Sequence, residues 1–269
     1  MMHAAVKKMG GTKLGWLISD VLTLVERNLL KYVRLPQLMI FSSIQPVMFL
    51  LLFTYVFGGA IRTGGGSYIN YLLPGILVQT AVFGAIQTGV GLTEDLSKGL
   101  IDRFRSLPMA RSAVLAGRTA ADMMRNIFVI LLMFAVGSII GFRLQGSISD
   151  AITAFAILLL FGFAFSWISA SIGMFVKNVE TAQVAGFIWV FPLVFASSVF
   201  VPVETMPSWL QHFANINPVT ITVNAVRALV LDNASPADTA RYAWQAIAWI
   251  GGILAIFMPL AVWLYRRAV

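Results

Sequence analysis

Charged residues are concentrated in one stretch of this chain, which runs from Glu94 to Arg125. The stretch holds ten of the 30 charged residues (19 basic and 11 acidic), and uncharged runs flank it on both sides. Between its arginines, four apolar side chains can share one helix face, and Pro108 should end that helix. An apolar face edged by charges suits a groove on a partner protein. The ten charged residues are Glu94, Asp95, Lys98, Asp102, Arg103, Arg105, Arg111, Arg118, Asp122 and Arg125, and the apolar ones are Leu100, Ile101, Phe104 and Leu107.

We therefore predict that Glu94–Arg125 is a loop outside the bilayer at which a partner docks. The simpler alternative is a basic stretch that only sets membrane orientation. That alternative explains the arginines, but it does not explain Asp95, Asp102 and Asp122 or the apolar spacing.

The chemistry of nucleotide hydrolysis is missing from the sequence. There is no G-x-x-x-x-G-K-[ST] phosphate loop and no H-E-x-x-H or G-x-S-x-G motif. The two histidines, His3 and His212, are far apart in the sequence and form no metal-binding pattern. We expect no catalytic, cofactor or metal site in this chain.

Glutamines and phenylalanines recur within the long apolar runs. Proton- or ion-coupled carriers usually keep ionisable groups inside the membrane, and the cores of these runs contain none. The polar and aromatic side chains could line a path for large amphipathic molecules, or they could simply hold helices together. Both alternatives stay open for any single residue.

The composition indicates an integral membrane protein. Hydrophobic residues make up 59% of the 269 residues and charged residues only 11%, against about 25% charged in an ordinary soluble protein. The absence of cysteine excludes a disulfide framework. A net charge of +8 would suggest nucleic acid in a soluble protein, but here the positive-inside rule explains it.

Six apolar runs have about the length that a membrane span requires. A segment at 14–34 carries too many charges to span, and its helical spacing predicts an amphipathic helix on the membrane surface. Segment 201–241 is expected to be external, with one or two short helices that dip back toward the membrane. The runs cover approximately 37–61, 71–92, 126–142, 151–176, 182–200 and 242–265.

The basic residues predict the orientation of these runs. With six spans, 15 of the 19 basic residues fall on one side, and Arg62, Arg143, Arg227 and Arg241 fall on the other. This asymmetry predicts a cytoplasmic position for both termini. The expected fold is an all-α polytopic membrane protein with an interfacial helix, six transmembrane helices and short external helices before the last span.

Several motifs make the chain similar to the membrane subunits of ABC-2 type exporters, and most similar to daunorubicin-resistance-like drug and lipid exporters. The motifs are K-G-L-I-D-R-F-R-S-L-P-M-A-R at 98–111, G-R-T-A-A-D at 117–122, Pro74-Gly75, F-V-P-V-E-T-M-P-x-W-L at 200–210 and Asn217-Pro218. The resemblance covers nearly the whole chain. It implies a single transmembrane domain over 1–269 with a type V ABC exporter-like fold.

The resemblance also implies how the protein works. Such subunits export hydrophobic or amphipathic substrates, for example drugs, lipids or glycolipids, across the cell membrane. ATP and Mg²⁺ are bound by two copies of a separate ATP-binding subunit, and two membrane subunits pair, as a homodimer in preference to a heterodimer. A polysaccharide or glycoconjugate exporter of the same superfamily is one alternative. An ATP-independent channel or secondary carrier is another.

Three groups of residues acquire roles from the resemblance. The loop at 94–112 resembles a coupling helix, with contacts to the ATPase from Glu94, Asp95, Lys98, Leu100, Ile101, Asp102, Arg103, Phe104, Arg105, Leu107, Pro108 and Arg111. The surface helix at 14–34 resembles a connecting helix, represented by Asp20, Glu26, Arg27 and Lys31. The substrate path is expected at Gln45, Phe49, Phe53, Gln79, Phe83, Gln87, Phe187, Phe191 and Phe195.

Overall fold

The computed structural model describes residues 36–61, 67–98, 111–176 and 178–268, and every regular element within these ranges is helical. The helices are α1 (Pro36–Leu52), α2 (Tyr68–Ser97), α3 (Arg111–Ile140), α4 (Ile148–Phe175), α5 (Val179–Phe195), α6 (Ser208–Ile216), α7 (Pro218–Leu231) and α8 (Pro236–Ala268). A π-helical turn, Phe53–Phe57, continues α1, and a short 3-10 turn, Val203–Thr205, precedes α6. The predicted surface helix at 14–34 and the loop residues from Leu100 to Pro108 lie outside the described residues.

The prediction of an all-α polytopic membrane protein is confirmed. Among the described helices, four are long and apolar enough to cross a bilayer: α2, α4, residues Gly117–Ile140 of α3 and residues Pro236–Tyr265 of α8. Ser42–Phe57, Val179–Phe195 and Pro218–Leu231 are apolar but shorter. The count of six spans therefore stays a prediction. Two expected boundaries were wrong, because α3 begins at Arg111 rather than Asn126 and α8 at Pro236 rather than Tyr242.

Side-chain caps explain where several helices begin. Ser147 and Asp150 form a reciprocal capping box at the start of α4, and the Asn178 side chain accepts the backbone N–H of Glu180 at the start of α5. Asn217 accepts the N–H of Val219, with Pro218 at the first position of α7. These polar residues interrupt an apolar sequence at the points where the chain changes direction.

Helix α2 lies at the centre of the bundle, and most of its side chains are buried against α3, α4, α5 and α7. Its closest approach is to α4. A Cβ added to Gly89 would collide with the carbonyl of Ser169, and a Cβ added to Gly173 would collide with Gly89 itself. The Thr93 hydroxyl donates to the Gly173 carbonyl at 2.8 Å across this crossing. The small residues therefore serve packing within the chain, as is usual where membrane helices approach closely.

Helix α7 is the part of segment 201–241 that turns back. Nearly all of its side chains, from Val219 to Leu231, are buried, and the helix packs against α4, α8 and α2. The segment was expected to contain one or two short helices that dip back toward the membrane, and α6 and α7 are two short helices, of which α7 packs inside the bundle. Asn217 before α7 is buried, whereas Asp232 and Asn233 after it are exposed.

Candidate functional site

A continuous row of phenylalanine rings crosses α1, α2, α5 and the turn after α5. We call it the phenylalanine row: Phe49, Phe53, Phe57, Phe83, Phe187, Phe191, Phe195 and Phe200. The ring centroids of Phe53 and Phe200 are 4.3 Å apart, and those of Phe200 and Phe195 are 5.2 Å apart. Phe195 stacks on Phe191 at 5.2 Å, and Phe191 meets Phe83 edge-on at 5.5 Å. These are the preferred separations and orientations of interacting aromatic rings.

The structure brings together all six phenylalanines that were expected on the substrate path. Phe53 and Phe57 reach each other through the π-helical turn, with 5.0 Å between their centroids. The exposed rings of Phe57, Phe191 and Phe195 form one apolar surface, while Phe53, Phe83 and Phe187 are half-buried behind it. A surface of this kind presents flat, polarisable area at little cost in side-chain entropy.

The three glutamines expected on the path lie in different environments. Gln45 precedes Phe49 by one helical turn, and Gln87 follows Phe83 by one turn, and both are exposed. Gln79 is buried, and its Oε1 has no hydrogen-bond partner among the described residues. Gln45 and Gln87 can therefore meet a ligand at the surface, whereas Gln79 can do so only from inside the bundle.

The stretch from Glu94 to Arg125 is not a loop throughout. Residues 94–97 complete α2 and residues 111–125 begin α3, so the predicted loop is wrong at both ends. The physical reason is a set of polar contacts between these helices, which we call the buried ion network: Thr88, Asp95, Arg118 and Asp122. Arg118 lies 3.3 Å from Asp95 and 3.4 Å from Asp122, and the Thr88 hydroxyl donates to Asp122 at 2.8 Å.

Because Arg118 pairs with both carboxylates, helices α2 and α3 can carry these charges at buried positions. Arg125 continues the pattern and donates to the Gly84 carbonyl at 2.7 Å. The network therefore joins the two helices on either side of residues 99–110, where most of the expected docking contacts lie.

The expected docking residues that are described divide into inward and outward positions. Asp95 points into the buried ion network. Glu94 and Lys98 form an ion pair at the end of α2, where Lys98 is exposed, and the hydrogen bond that Lys98 donates to the Glu94 carboxylate raises the pKa of Lys98. Arg111 is the first residue of α3. Lys98 is thus exposed at the end of α2, whereas Asp95 is occupied inside the bundle.

Sequence reasoning missed a second polar centre, which we call the Arg227 cage. Arg227 is only 8% exposed, although it was counted among the external basic residues. Its guanidinium donates to the carbonyl of Tyr71 at 3.1 and 3.3 Å, to the carbonyl of Ser198 at 3.0 Å and to the Asn224 side chain at 3.2 Å. Its carbon also lies 3.7 Å from the centre of the Tyr71 ring.

The Arg227 cage fastens α7 to the start of α2 and to the turn after α5. This buried cation is stabilised without a carboxylate in hydrogen-bond contact among the described residues. Main-chain carbonyls and a side-chain amide accept its hydrogen bonds, and an aromatic face packs against it. The same turn is held by the Asn217 side chain, which donates to the carbonyls of Leu193 and Ala196 at 2.7 and 3.0 Å. A signal was present in the sequence, because Arg227 is the single charge within the apolar segment 218–231.

The described part of the chain contains no group of three or more His, Cys, Asp or Glu side chains that could hold a metal ion. The fold and the candidate site together define a polytopic helical membrane protein with an exposed aromatic surface and an ion-paired end on its central helices.

The chain belongs to the ABC-2 type transporter family, which it matches over residues 19–231. It is 34% identical over 250 residues to a daunorubicin resistance ABC transporter permease protein of Streptomyces coeruleorubidus, covering 93% of this chain and 87% of that protein. It is 24% identical over 259 residues to a probable doxorubicin resistance ABC transporter permease protein of Mycobacterium tuberculosis, covering 93% and 90% of the two chains.

The chain is thus a transmembrane transporter subunit of this family, and membership implies an ABC ATP-binding partner. The resemblance described from the motifs is confirmed. Two of those motifs have clear structural roles, since Gly75 packs directly against the main chain of Val199 and Asn217 caps α7.

Proposed function

We propose that this chain is the membrane subunit of an ATP-driven exporter that moves a hydrophobic, aromatic amphiphile out of the cytoplasm or the inner leaflet. The phenylalanine row is the observation that supports this proposal best. It joins three helices that are distant in sequence into one apolar surface, flanked on α1 and α2 by the exposed amides of Gln45 and Gln87. Stacking and adaptable amide hydrogen bonds suit planar amphiphiles.

The substrate class is suggested by the relatives as well. The names of two of them specify daunorubicin and doxorubicin resistance, and both compounds carry flat ring systems with polar substituents. We infer that this chain accepts molecules of the same general shape and polarity.

Energy for transport is proposed to come from two copies of a separate ATP-binding subunit, which bind ATP and Mg²⁺, because the sequence has no phosphate loop. The proposed docking point is the segment 94–112, with Phe104 and Arg105 at its centre and the surface helix at 14–34 as a second contact. Two membrane subunits, as a homodimer, would complete the transporter in the cell membrane, with both termini in the cytoplasm.

The buried ion network gives this coupling a mechanical basis. Because Arg118 of α3 pairs with Asp95 of α2, and Asp122 of α3 accepts a hydrogen bond from Thr88 of α2, a displacement of residues 99–110 would move α2 and α3 together. Helix α2 carries Phe83 and Gln87. Movement of the docking segment would therefore reach the proposed substrate surface through one central helix.

Two sets of variants test the proposal in vesicles that contain the chain and its ATP-binding partner, with daunorubicin fluorescence as the transport probe. Phe104→Ala and Arg105→Glu should lower both ATP turnover and transport, because the docking contact is lost. Arg241→Glu is the control, since Arg241 lies on the side predicted to be external. Normal partner binding and ATP turnover in the Phe104 and Arg105 variants would refute the docking assignment.

The second set addresses the phenylalanine row. Phe191→Ala and Phe195→Ala should weaken stimulation of ATP turnover by daunorubicin while leaving basal turnover intact. Phe128→Ala is the matched control, because Phe128 on α3 is similarly exposed but contacts no ring of the row. Equal effects of all three substitutions would refute the path. Transport by the chain without nucleotide would favour an ATP-independent carrier instead.

A further inference from the structure

A groove at the ends of α2, α4 and α8 lies apart from both the phenylalanine row and the Arg227 cage. Its volume is about 390 Å³. Three helix ends line the groove. The lining residues are Leu96 and Ser97 of α2, Met174, Phe175 and Val176 at the end of α4, and Leu264 and Arg267 of α8. The charge distribution predicts that these helix ends lie on the cytoplasmic side of the membrane.

The base of the groove is a packed apolar cluster. Met174 and Tyr265 are buried there together with Trp167 and Leu92, and Leu96 and Leu264 pack against them. The rim differs sharply, because Phe175 is 80% exposed at the end of α4. A rigid apolar base with an exposed aromatic rim can accommodate the upper part of an acyl chain.

The polar side of the groove carries a positive charge with no negative partner beside it. The guanidinium carbon of Arg267 lies 3.9 Å from the centre of the Trp263 ring, and among the described residues Arg267 forms no ion pair. No lining residue is acidic. Glu94 and Asp95, next to Leu96 in the sequence, are paired with Lys98 and Arg118, and Glu180 lies at the exposed start of α5.

Trp263 places this charge at headgroup depth. Tryptophan is enriched at the membrane–water boundary, and Trp263 is 46% exposed in the last turn of the apolar part of α8. The ring also fixes the position of the guanidinium, whose carbon lies 3.9 Å from the ring centre. Ser97 adds no free donor, because its hydroxyl is bonded to the Glu94 carbonyl.

We propose that this groove binds an anionic phospholipid of the inner leaflet, with the phosphate on Arg267 and the first part of an acyl chain between Phe175 and Leu264. Planar guanidinium groups recognise phosphate through paired hydrogen bonds. The ATP-binding subunit is a less suitable occupant, because the groove lies at the level of the interfacial tryptophan rather than beyond the membrane surface. This inference is independent of the proposed substrate.

Tryptophan quenching by brominated lipids tests the proposal in the full chain. The chain is reconstituted in phosphatidylcholine vesicles with added phosphatidylglycerol or phosphatidylcholine, each brominated near the top of the acyl chain. The contribution of Trp263 is the difference between the unmodified chain and Trp263→Phe. One arginine near an anionic surface predicts a preference of about fivefold for phosphatidylglycerol at this tryptophan.

Arg267→Gln should abolish the preference, whereas Arg267→Lys should keep most of it, since the charge is retained. Trp244, at the opposite end of α8, is the internal control: the nearby Arg241 is already paired with Asp238, so Trp244 should show no preference. In the unmodified chain, 1 M salt should remove the preference at Trp263, because the screening length falls to about 3 Å.

Three results would overturn the proposal. Equal quenching of Trp263 by the two lipids would mean ordinary surrounding lipid only. A preference that survives in Arg267→Gln would mean that Arg267 does not select the headgroup. Protection of Trp263 from both lipids by the bound ATP-binding subunit would mean that the groove is a protein interface.

Discussion

Replacement of Arg227 by methionine tests the most unusual feature of the bundle. The substitution keeps most of the side-chain length but removes the guanidinium, so the carbonyl of Tyr71 loses both of its bonds to Arg227. The other acceptors keep a partner: the Tyr71 hydroxyl still reaches the Ser198 carbonyl at 3.1 Å, and the Ser198 hydroxyl still reaches Asn224 at 3.2 Å.

The magnitude follows from these contacts. Hydrogen bonds to a charged group contribute about 1.5–3 kcal/mol, and loss of a desolvated cation–π contact costs about 2 kcal/mol. Part of this loss of stability is offset, because removing a buried cation also removes the free-energy cost of its desolvation. We expect Arg227→Met to lower the free energy of unfolding by about 3 kcal/mol, which corresponds to roughly 6–12 °C in the unfolding midpoint at about 2–4 °C per kcal/mol.

The assay is thermal unfolding of the purified chain in detergent, followed by tryptophan fluorescence. Arg241→Met is the matched control: Arg241 pairs with Asp238 at 3.1 Å, and both side chains are largely exposed, so its loss should cost less than about 1 kcal/mol. Arg227→Lys separates charge from geometry. A lysine cannot bond two carbonyls and stack on Tyr71 as a planar guanidinium does, so it should be nearly as unstable as the methionine variant.

A midpoint for Arg227→Met within 2 °C of that for Arg241→Met would refute this reasoning. It would mean that the bonds from Arg227 to Tyr71 and Ser198 contribute no net stability. If Arg227→Lys were as stable as the unmodified chain, only the claim that a planar guanidinium is required would be refuted. A positive charge at this position would then be sufficient for stability.

The same assay tests three other contacts. Gly89→Ala should cost about 1–3 kcal/mol of stability, because the added methyl group collides with Ser169. Its control, Gly251→Ala, meets nothing within 4 Å and should stabilise its helix by about 0.5–1 kcal/mol. Equal unfolding midpoints for the two variants would contradict the close crossing of α2 and α4. Asn217→Ala should cost more stability than Ser147→Ala, because Asn217 donates to two carbonyls at the end of α5 in addition to capping α7. Ser147→Ala loses only an exposed cap, which contributes about 1 kcal/mol. The reverse order would contradict this role of Asn217. Asp122→Ala should cost about 1–3 kcal/mol, because the buried Thr88 hydroxyl loses its acceptor. The exposed Asp238→Ala should cost less than about 1 kcal/mol, and similar losses would mean that the buried ion network is not formed.

The charged stretch shows where prediction from sequence succeeded and where it failed. A charged interruption between two apolar runs was correctly expected, and α2 and α3 do flank residues 99–110. The expectation that the whole stretch is a loop was wrong, because its two ends belong to these helices. Asp95 and Arg118 are 23 residues apart in sequence, so their pairing depends on how α2 and α3 cross, and no local pattern reports that crossing.

The phenylalanine row shows a similar division. Six of its members were expected on the substrate path, because the resemblance to ABC-2 type exporters pointed to the first, second and fifth apolar runs. Phe200 was not expected, although it connects α1 to α5 by contacting both Phe53 and Phe195. It lies in the turn after α5, where no helical period predicts the direction of a side chain.

By itself, the amino-acid sequence determined the membrane environment, the helical class, the family motifs and the absence of a phosphate loop, because composition and short-range periodicity report local preferences. The tertiary structure alone decided that α7 turns into the bundle, that Arg227 is buried and that the phenylalanine rings join. The bond between Arg227 and the Tyr71 carbonyl spans 156 residues. A buried cation is stable only where carbonyls from separate helices converge on it, and that convergence exists only once α2, α5 and α7 have packed.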